Sequence, residues 1–547
     1  MQMTVERILA DNDYLKNRNA SWPSYHQTLA NFFLPRAAFI NTIRTVGQPL
    51  QTQWLYDSCG IRSAKICSSG IHTNLTNPAT KWFGTQNKDI RYMDIKEVKI
   101  WYRSLEEAVR QILNGSNFDT VLGESYVHDT VFGTSIMYAD KDFKRRVKYK
   151  IIPLDQPQMA EGADGNVNTM YRNFKLTAIQ AYEIWGENAG KSVIDAIRDK
   201  KPYKELEFIH YCAPRDVRQA GKIDSVNMPY ASVWINKEDK KIIEESGFKT
   251  FPYIVGRFYT QEGEVFGFSP GMDVLVDTSG INTMRKTIQR RAMKEADPPF
   301  EAPFRGYLSP WNFNPGAGNL RDPKIPRDQG IQFLLPQGNF SITTDTVKNV
   351  EEAIEKGFFV NTFQALTNLT KRMTIPEVHQ RIAEAMALLG PVIGRQTSGK
   401  LTQAIERTID LVLEDLIMEG ELPPPPDILQ GQEWNITFCS TLTMAQRAGE
   451  INSLQSFMAL AGSIEQLKSM NAVKFNSDKA YDVIGEILDV DPEIIRDNKE
   501  ADAIRANNAK AAAAQAQMNA LEQAGKAGKD LAQAGLHSAN AQAVGKK

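Results

Sequence analysis

Two short stretches of the sequence contain residue types whose spacing could support chemistry. Residues Gly394 to Thr402 read GRQTSGKLT, one position short of the phosphate-binding pattern G-x-x-x-x-G-K-[ST]. In such a loop, backbone N–H groups and a lysine, here Lys400, hold the phosphates of a nucleotide. Residues Gly267 to Gly271 read GFSPG and match G-x-S-x-G, the pattern around a hydrolase nucleophile. The first stretch would predict an NTPase and the second a hydrolase.

The residues around GRQTSGKLT favour a helix over a phosphate-binding loop. Such a loop follows a β-strand, whereas apolar residues here recur at helical spacing on both sides of the stretch. They are Ile382, Met386, Leu389 and Ile393 before it, and Leu401, Ile405, Ile409, Val412 and Leu416 after it. Leu401 also stands where a hydroxyl should bind Mg²⁺, and the candidate acid Asp415 lies on the same helical run. We therefore interpret Gly394 and Gly399 as residues that loosen a long helix or let neighbouring backbones approach, with a bend at Gly390-Pro391.

The residues of GFSPG favour a helix cap. In a nucleophile elbow the residue after the serine donates its backbone N–H to the oxyanion, and Pro270 has no N–H. Ser269 instead suits a helix N-cap, and Pro270 suits the first helical position. The six histidines show no paired metal-ligand spacing, and the carboxylates are too dispersed to indicate an acid–base couple. We expect no catalytic residue, no metal site and no cofactor.

The composition argues against several classes of protein. The 547 residues suffice for roughly two to four domains, and 64 basic against 65 acidic residues leave a net charge of −1. Because no overall field attracts nucleic acid, any contact with DNA must be local or weak. No export signal or membrane-spanning run is expected. The scattered cysteines predict reduced, mostly buried thiols: Cys59, Cys67, Cys212 and Cys439.

The predicted secondary structure that surrounds the two motifs indicates an α+β fold that is mostly helical. Helical periodicity dominates about the first 130 residues, including a helix from about Ile95 to Leu113. Beyond Gly133 the sequence changes to short alternating segments that predict antiparallel strands: SIMYAD, VNTMYRNF, EFIHYC, YASVWI and FPYIVGRFYT. A further strand-like segment, WNITFCS, follows a run of prolines near residue 425.

Two helices of similar length flank a proline-rich insert. The spacing predicts helices over about 269–296 and 344–370, with short strands and turns over 297–343. This arrangement suggests an antiparallel pair with the insert protruding at its far end. Thr374 and Glu377 form a capping-box pattern that begins the next helix. From about Met444 the chain is again helical, and its Ala-rich end predicts a helix that is frayed or packed against copies of itself.

Taken in order, several segments resemble the portal, or head-to-tail connecting, proteins of short-tailed bacteriophages. They are an N-terminal helix ending in LPRA, LYDSCGIRSAKICSSGIHTNLTNPATKWF, FGTS, MYRNFKLTAIQAYEIWG, FPYIVGRF, EVFGFSPGMDVL, DPPF and MTIPEVHQRIAEAMALLGPVIGR. The segments cover roughly residues 1–415. Their order is more specific than any one of them.

The resemblance implies a portal-protein fold assembled as a ring of about twelve subunits around a channel. It divides this sequence into a wing over 1–268, stem helices over 269–296 and 344–370, and a clip over 297–343. A tunnel loop over 371–376, a wing helix and return strand over 377–440 and a C-terminal crown or barrel over 441–547 complete the chain.

The resemblance also implies a structural protein rather than an enzyme, located at the head–tail junction of the virion and assembled in the bacterial cytoplasm. Expected partners are double-stranded DNA in transient, non-specific contact, the terminase large subunit, tail adaptors, and the major capsid and scaffolding proteins, with no membrane. Candidate channel residues are Lys371, Arg372, Arg290, Arg291 and Lys294. For each of them the alternative is a solvated surface position or an intersubunit ion pair. Candidate clip residues for terminase or adaptor binding are Arg305, Trp311, Arg321, Lys324 and Arg327.

Two other functions stay open at this point. One is a packaging NTPase that would use GRQTSGKLT, and the other is a ring adaptor or capsid component that is not a portal.

Overall fold

The computed structural model describes residues 4–42, 52–219, 221–222, 224–301, 312, 320, 322–324, 326, 332–334, 340–367, 389–429, 432, 434–438, 500–519, 525–526 and 529. The chain divides into two compact units. Unit 1 comprises Met1–Gly84, Leu105–Pro424 and Ile436–Ala445, and unit 2 comprises Thr85–Ser104, Pro425–Asn435 and Gln446–Lys547. Among the described helices, none combines the length and apolar character that spanning a lipid bilayer requires.

Helices dominate both ends of the described chain. They are α1 (Val5–Arg18), α2 (Trp22–Phe33), α3 (Cys59–Leu75), α4 (Lys96–Gly115), α5 (Phe118–Phe132), α6 (Ala178–Trp185), α7 (Lys191–Arg198), α8 (Pro270–Asp273), α9 (Leu275–Ala296), α10 (Phe340–Gly357), α11 (Val360–Thr367) and α12 (Thr402–Met418). Residues 389–395 and 500–519 are also helical. A π-helix, Gln396–Leu401, joins 389–395 to α12.

The described strands form four sheets, two of which have only two strands. They are β1 (Phe83–Asn87), β2 (Thr134–Asp142), β3 (Arg146–Ile151), β4 (Pro157–Glu161), β5 (Val167–Thr177), β6 (Glu205–Pro214), β7 (Tyr230–Asn236), β8 (Lys241–Phe248), β9 (Tyr253–Arg257), β10 (Phe300–Glu301), β11 (Gln332–Phe333) and β12 (Trp434–Phe438). The two larger sheets have the orders β3-β2-β9 and β4-β5-β6-β7-β8, while β1 pairs with β12 and β10 with β11.

Helices cover both faces of the five-stranded sheet. On one face Ile8 and Leu15 of α1 pack against Tyr171, Ile209 and Val233. On the other face α6 and α7 contribute small side chains that pack against Phe208 and Leu206. Successive side chains along a strand point to opposite faces of the sheet. Because both faces are covered by helices, apolar residues occur at both sets of positions.

The helical core of unit 1 is built around α3 and α5. Gly60 and Gly70 lie on α3 where aromatic rings press against the helix, and a methyl group at Gly70 would overlap the ring of Phe363. The Phe33 ring, which borders Gly60, meets Phe358 edge to face at a centroid distance of 5.4 Å. The helical spacing of small residues in SAKICSSG therefore lets α3 sit close to its neighbours.

The π-helix packs against β9, an edge strand of the three-stranded sheet, and α12 packs against β2 and β3. The Gln403 side chain accepts a hydrogen bond from the Val255 N–H at 3.4 Å. One turn further, the buried Arg407 guanidinium donates to the carbonyl of Ala139 at 3.4 Å and lies 4.8 Å from the Phe248 ring centroid. Gln403 thus satisfies a backbone N–H of the edge strand β9, and Arg407 adds a donor to the central strand β2.

Unit 2 contributes fewer described residues. Within it, the Thr85 hydroxyl donates to the Tyr102 carbonyl at 3.1 Å, and the Asn87 amide donates to the Tyr102 hydroxyl at 3.4 Å. Residues 500–519 form a helix whose side chains are almost all exposed. This exposure agrees with the sequence interpretation that the Ala-rich helix buries little by itself.

Several sequence predictions need correction. The strand β1 lies inside the first 130 residues, which were predicted to be helical, because its partner β12 is far away in the chain. The helix predicted over 269–296 is divided at Val274, which packs against Gly357. The helix predicted over 344–370 begins at Phe340 and is divided at Phe359, whose φ is 56°. Residues 389–395 are helical, and the residues before them lie outside the described part of the chain, so the bend at Gly390-Pro391 stays a prediction.

Candidate functional site

The stretch GRQTSGKLT is helical, as its flanking residues predicted. Residues Gln396–Leu401 form a π-helix between two helical segments. The hydroxyls bond to the helix itself: Thr397 donates to Ile393 and Gly394 carbonyls at 2.9 Å, and Ser398 donates to Gly394 at 2.7 Å. A phosphate would need free, converging backbone N–H groups, which a continuous helix does not offer.

Lys400 points into the protein core. Its ammonium nitrogen donates to Asp129 Oδ2 at 2.6 Å, and neither side chain is exposed to solvent. The same nitrogen lies 4.2 Å from the ring centroid of Tyr126. Burial lowers the pKa of Lys400, and the neighbouring Asp129 opposes that shift. Lys400 is therefore a partner in a buried ion pair and has no access to a nucleotide.

Ser269 caps a helix, as predicted from Pro270. Its hydroxyl accepts the Met272 N–H at 3.1 Å and donates to the Val131 carbonyl at 2.8 Å. The side chain is fully buried. Nearby, Gly133 ends α5 with φ 76°, and a methyl group there would overlap the Gly267 backbone. A serine enclosed in this way cannot attack a substrate.

The helices α9 and α10 form an antiparallel pair. The Arg285 guanidinium of α9 bonds to Glu351 of α10, and Gly357 lies against Val274 at the other end of the pair. Arg285 also reaches Asp57 Oδ2 at 3.3 Å, which ties the segment before α3 to the pair. Beyond the helices, β10 and β11 pair in an antiparallel ribbon. The two ends of the predicted insert, which the structure describes, therefore lie side by side.

The predicted channel cations on α9 have different surroundings. Arg291 Nε pairs with Glu295 of its own helix at 2.9 Å. Arg290 and Lys294 are exposed, and neither forms an ion pair with any residue that the structure describes. The other two candidates, Lys371 and Arg372, lie outside the described residues, as does the capping box at Thr374 and Glu377.

Most of the predicted clip residues also lie outside the described part of the chain. Lys324 is described: it is exposed, and its backbone N–H donates to Asp322 Oδ1 at 3.0 Å in a turn. The others are Arg305, Trp311, Arg321 and Arg327. Their role in binding partners stays a prediction.

The described residues contain no group of three or more His, Cys, Asp or Glu side chains arranged to hold a metal ion. Three of the four cysteines are described, and all three are buried free thiols: Cys59, Cys67 and Cys212. Burial raises the pKa of Cys67 to about 12. Such a thiol stays protonated and does not act as a nucleophile or metal ligand.

Sequence reasoning missed the two most deeply buried cations of this region. In the sequence, Lys400 is only a candidate phosphate ligand, and Arg407 belongs to no motif. Burial lowers the pKa of Arg407, whose guanidinium lies 3.5 Å from Asp410 Oδ2. The available signal was their spacing of seven residues, which places both on one face of a helix.

Comparison with known proteins decides the family. The sequence model of the family described as "Bacteriophage head to tail connecting protein" matches residues 6–495. The chain belongs to this family. Among curated relatives of this connector, the portal protein of Salmonella phage epsilon15 is 28% identical over 528 residues, covering 96% of this chain and 94% of the relative. The probable portal protein of Bordetella phage BPP-1 is 27% identical over 501 residues, covering 90% and 89%.

Two of the solved structures with a detectable likeness are of gene transfer agent particles. The neck of an empty gene transfer agent (GTA) particle and the virion of the native GTA particle each match with a TM-score of 0.34 and 11% identity. They cover 83% of this chain and 93% and 98% of the respective structures. The predicted resemblance to portal proteins and the head-to-tail connector function are confirmed by the family match and the two portal relatives. The NTPase and non-portal alternatives receive no support.

Proposed function

We propose that this connector assembles into a closed ring of about twelve copies around a central channel. The ring sits at the head–tail junction of the virion, is built in the bacterial cytoplasm, and passes double-stranded DNA during packaging and ejection. Residues 1–268 and 377–440 form its wing, 269–296 and 344–370 its stem, 297–343 its clip, 371–376 its tunnel loop and 441–547 its crown.

The observation that carries the proposal is the antiparallel pair of α9 and α10 with the β10–β11 ribbon at its end. Side by side, copies of such a pair make a wall, because each helix leaves one flank uncovered. The 22 residues of α9 span about 33 Å at the rise of an α-helix, which is long enough to line a duplex over several base pairs.

Lys371 and Arg372 are the proposed DNA contacts. A conduit must touch the duplex without holding it, because each phosphate that a cation neutralises adds affinity through counterion release. The net charge of −1 is consistent with weak, local contact. Two cations in a short loop of each copy would give a ring of contacts that is salt-dependent and independent of base sequence.

The clip is the proposed docking surface for the terminase large subunit and later for tail adaptors. Capsid and scaffolding proteins would contact the wing and crown. Replacing residues 302–331, the part of the clip between β10 and β11, with a short turn should abolish terminase binding while the wing stays folded. Because the antiparallel ribbon places Glu301 opposite Gln332, a short turn can join these two residues with little strain. Unchanged terminase binding by that deletion variant would contradict the clip assignment.

The ring acts as a structural part and not as an enzyme. The enclosed Lys400 and the capping role of Ser269 support this, because both residues of the enzyme-like motifs are used by the fold.

The oligomeric mass of the full-length chain tests the proposal. Sedimentation velocity of purified protein should show one large species with the mass of about twelve chains. Only monomers, over a hundredfold range of concentration, would contradict a ring.

A further inference from the structure

The register of α9 and α10 fixes which of their residues share a height. The Arg285–Glu351 ion pair joins the side chains of these two residues across the antiparallel helices, and heights along the pair are counted from it. Arg290 lies five residues beyond Arg285, and Asp345 lies six residues before Glu351 on the antiparallel helix. Counted from that ion pair at a rise of about 1.5 Å per residue, Arg290 and Asp345 differ in height by about one residue.

Two of the three flanks of α9 are already covered. Thr278 and Ile281 are buried in the core. Asn282 accepts the Tyr56 N–H at 2.6 Å and donates to the Trp54 carbonyl at 3.1 Å, so the segment before α3 covers a second flank. The third flank is exposed along its length and consists of Val276, Ser279, Thr283, Thr287, Arg290 and Lys294.

This third flank carries short side chains whose hydroxyls are already satisfied. Thr283 donates to the Ser279 carbonyl at 3.1 Å, and Thr287 donates to the Thr283 carbonyl at 3.0 Å. Both threonines therefore have hydroxyls that need no outside partner. The exposed residues of α10 at the same heights, Ala353 and Asn349, are also short. Two such flanks can approach to a close helix-packing distance.

The charges on the two flanks are complementary and unused. Arg290 and Lys294 are exposed on α9, and Asp345 and Glu352 are exposed on α10. None of the four has an ionic partner among the described residues, and Arg290 and Asp345 do not pair within one chain. An electrostatic contact between copies needs unpaired cations on one surface and unpaired acids on the other. The flanks of α9 and α10 supply both.

We propose that the exposed flank of α9 docks on the exposed flank of α10 of a second copy, with Arg290 of one copy paired to Asp345 of the next. The inference rests on the proposed ring. In a ring whose axis runs along the helices, rotation from one copy to the next leaves the height of every residue along that axis unchanged. Residues of similar height on the exposed flanks of α9 and α10 therefore face each other between neighbouring copies. The stem cation Arg290 then serves assembly, and Lys371 and Arg372 remain the DNA contacts.

A charge-swap series in the full-length protein tests this contact. Arg290→Glu places two like charges at every interface and should raise the concentration at which half the protein is assembled by at least about tenfold. Adding Asp345→Arg restores opposite charges and should return assembly to near the wild-type value. Lys144→Glu is the matched control: Lys144 is exposed on the turn between β2 and β3, with the same change of charge away from either flank.

A covalent test keeps the proposal open to refutation if a variant is poorly soluble. Arg290→Cys combined with Asp345→Cys should form disulfide-linked chains under mild oxidation, whereas each single variant should not, because the described native thiols are buried. Assembly by Arg290→Glu that equals the Lys144→Glu control, or no linkage in the double cysteine variant, overturns the contact. Altered DNA retention with intact assembly would instead assign Arg290 to the channel. A wild-type chain that never assembles would refute the ring itself.

Discussion

The Lys400–Asp129 ion pair makes a quantitative prediction that separates a structural lysine from a nucleotide-binding one. Lys400→Met removes the ammonium group and leaves the carboxylate of Asp129 buried without its partner. Breaking a buried pair in this way costs about 3–5 kcal/mol, whereas an exposed pair contributes about 0–1 kcal/mol. The exposed pair between Lys141 and Asp415 is a suitable control, because Asp415 lies on the helix that follows the π-helix and the atoms are 2.9 Å apart.

Hydrogen exchange is the suitable assay, since a chain with two compact units need not unfold in one step. A loss of about 3–5 kcal/mol in local stability should lower the amide protection of residues 396–401 and of α5 by roughly 10²- to 10³-fold or more. Lys141→Met should lower it less than about tenfold. Asp129→Asn added to Lys400→Met removes the unpaired charge and should recover part of the protection.

Two results would refute this reasoning. Unchanged protection in Lys400→Met would mean that the pair contributes nothing to local stability. Measurable ATP binding by the wild-type chain that Lys400→Met abolishes, with protection unaffected, would restore the nucleotide-binding interpretation.

Three further predictions concern pH, packing and DNA. Burial lowers the pKa of the three enclosed histidines to about 4, about 4 and about 3: His26, His128 and His210. Because the unfolded chain then binds more protons below pH 6.5, each should reduce the free energy of unfolding by up to about 1.4 kcal/mol per pH unit as pH falls from about 6.5 towards 4. His26→Phe, whose site is lined by aromatic rings, should lose less thermal stability between pH 7 and 5 than wild type; an equal loss would contradict this. Gly70→Ala should lower the melting temperature measurably and Gly123→Ala should not, because a methyl group overlaps a ring only at Gly70; equal melting temperatures would count against this packing. Lys371→Ala combined with Arg372→Ala should leave sedimentation unchanged and alter DNA retention in assembled particles, and loss of assembly would show that the pair is structural.

Elements with a strong local signal were predicted well from the sequence. The strands β2, β5, β6 and β7 contain the segments whose alternation predicted them, and β9 lies within its predicted segment. The capping role of Ser269 followed from the chemistry of the next residue, proline, and the structure confirms it. These predictions depend only on neighbours in the chain, so one sequence suffices for them.

Features that depend on distant contacts were not predictable. The strand β1 pairs with β12, which is more than three hundred residues away in the chain. No local sequence pattern indicates this pairing. The break at Phe359 requires a positive φ at a large side chain, which sequence propensity disfavours. Lys400 finds Asp129 at a separation of 271 residues, so its burial could not be read from the motif around it. The sequence identified the candidate stem cations, but only the structure shows that Arg291 is paired while Arg290 is free of ionic partners among the described residues.

The most direct test of the connector account is a set of single-particle images of the purified full-length chain viewed along its symmetry axis. The account predicts closed rings in which α9 and α10 of successive copies alternate around an open channel wide enough for duplex DNA. Compact particles without a central opening, at every protein concentration tried, would contradict it.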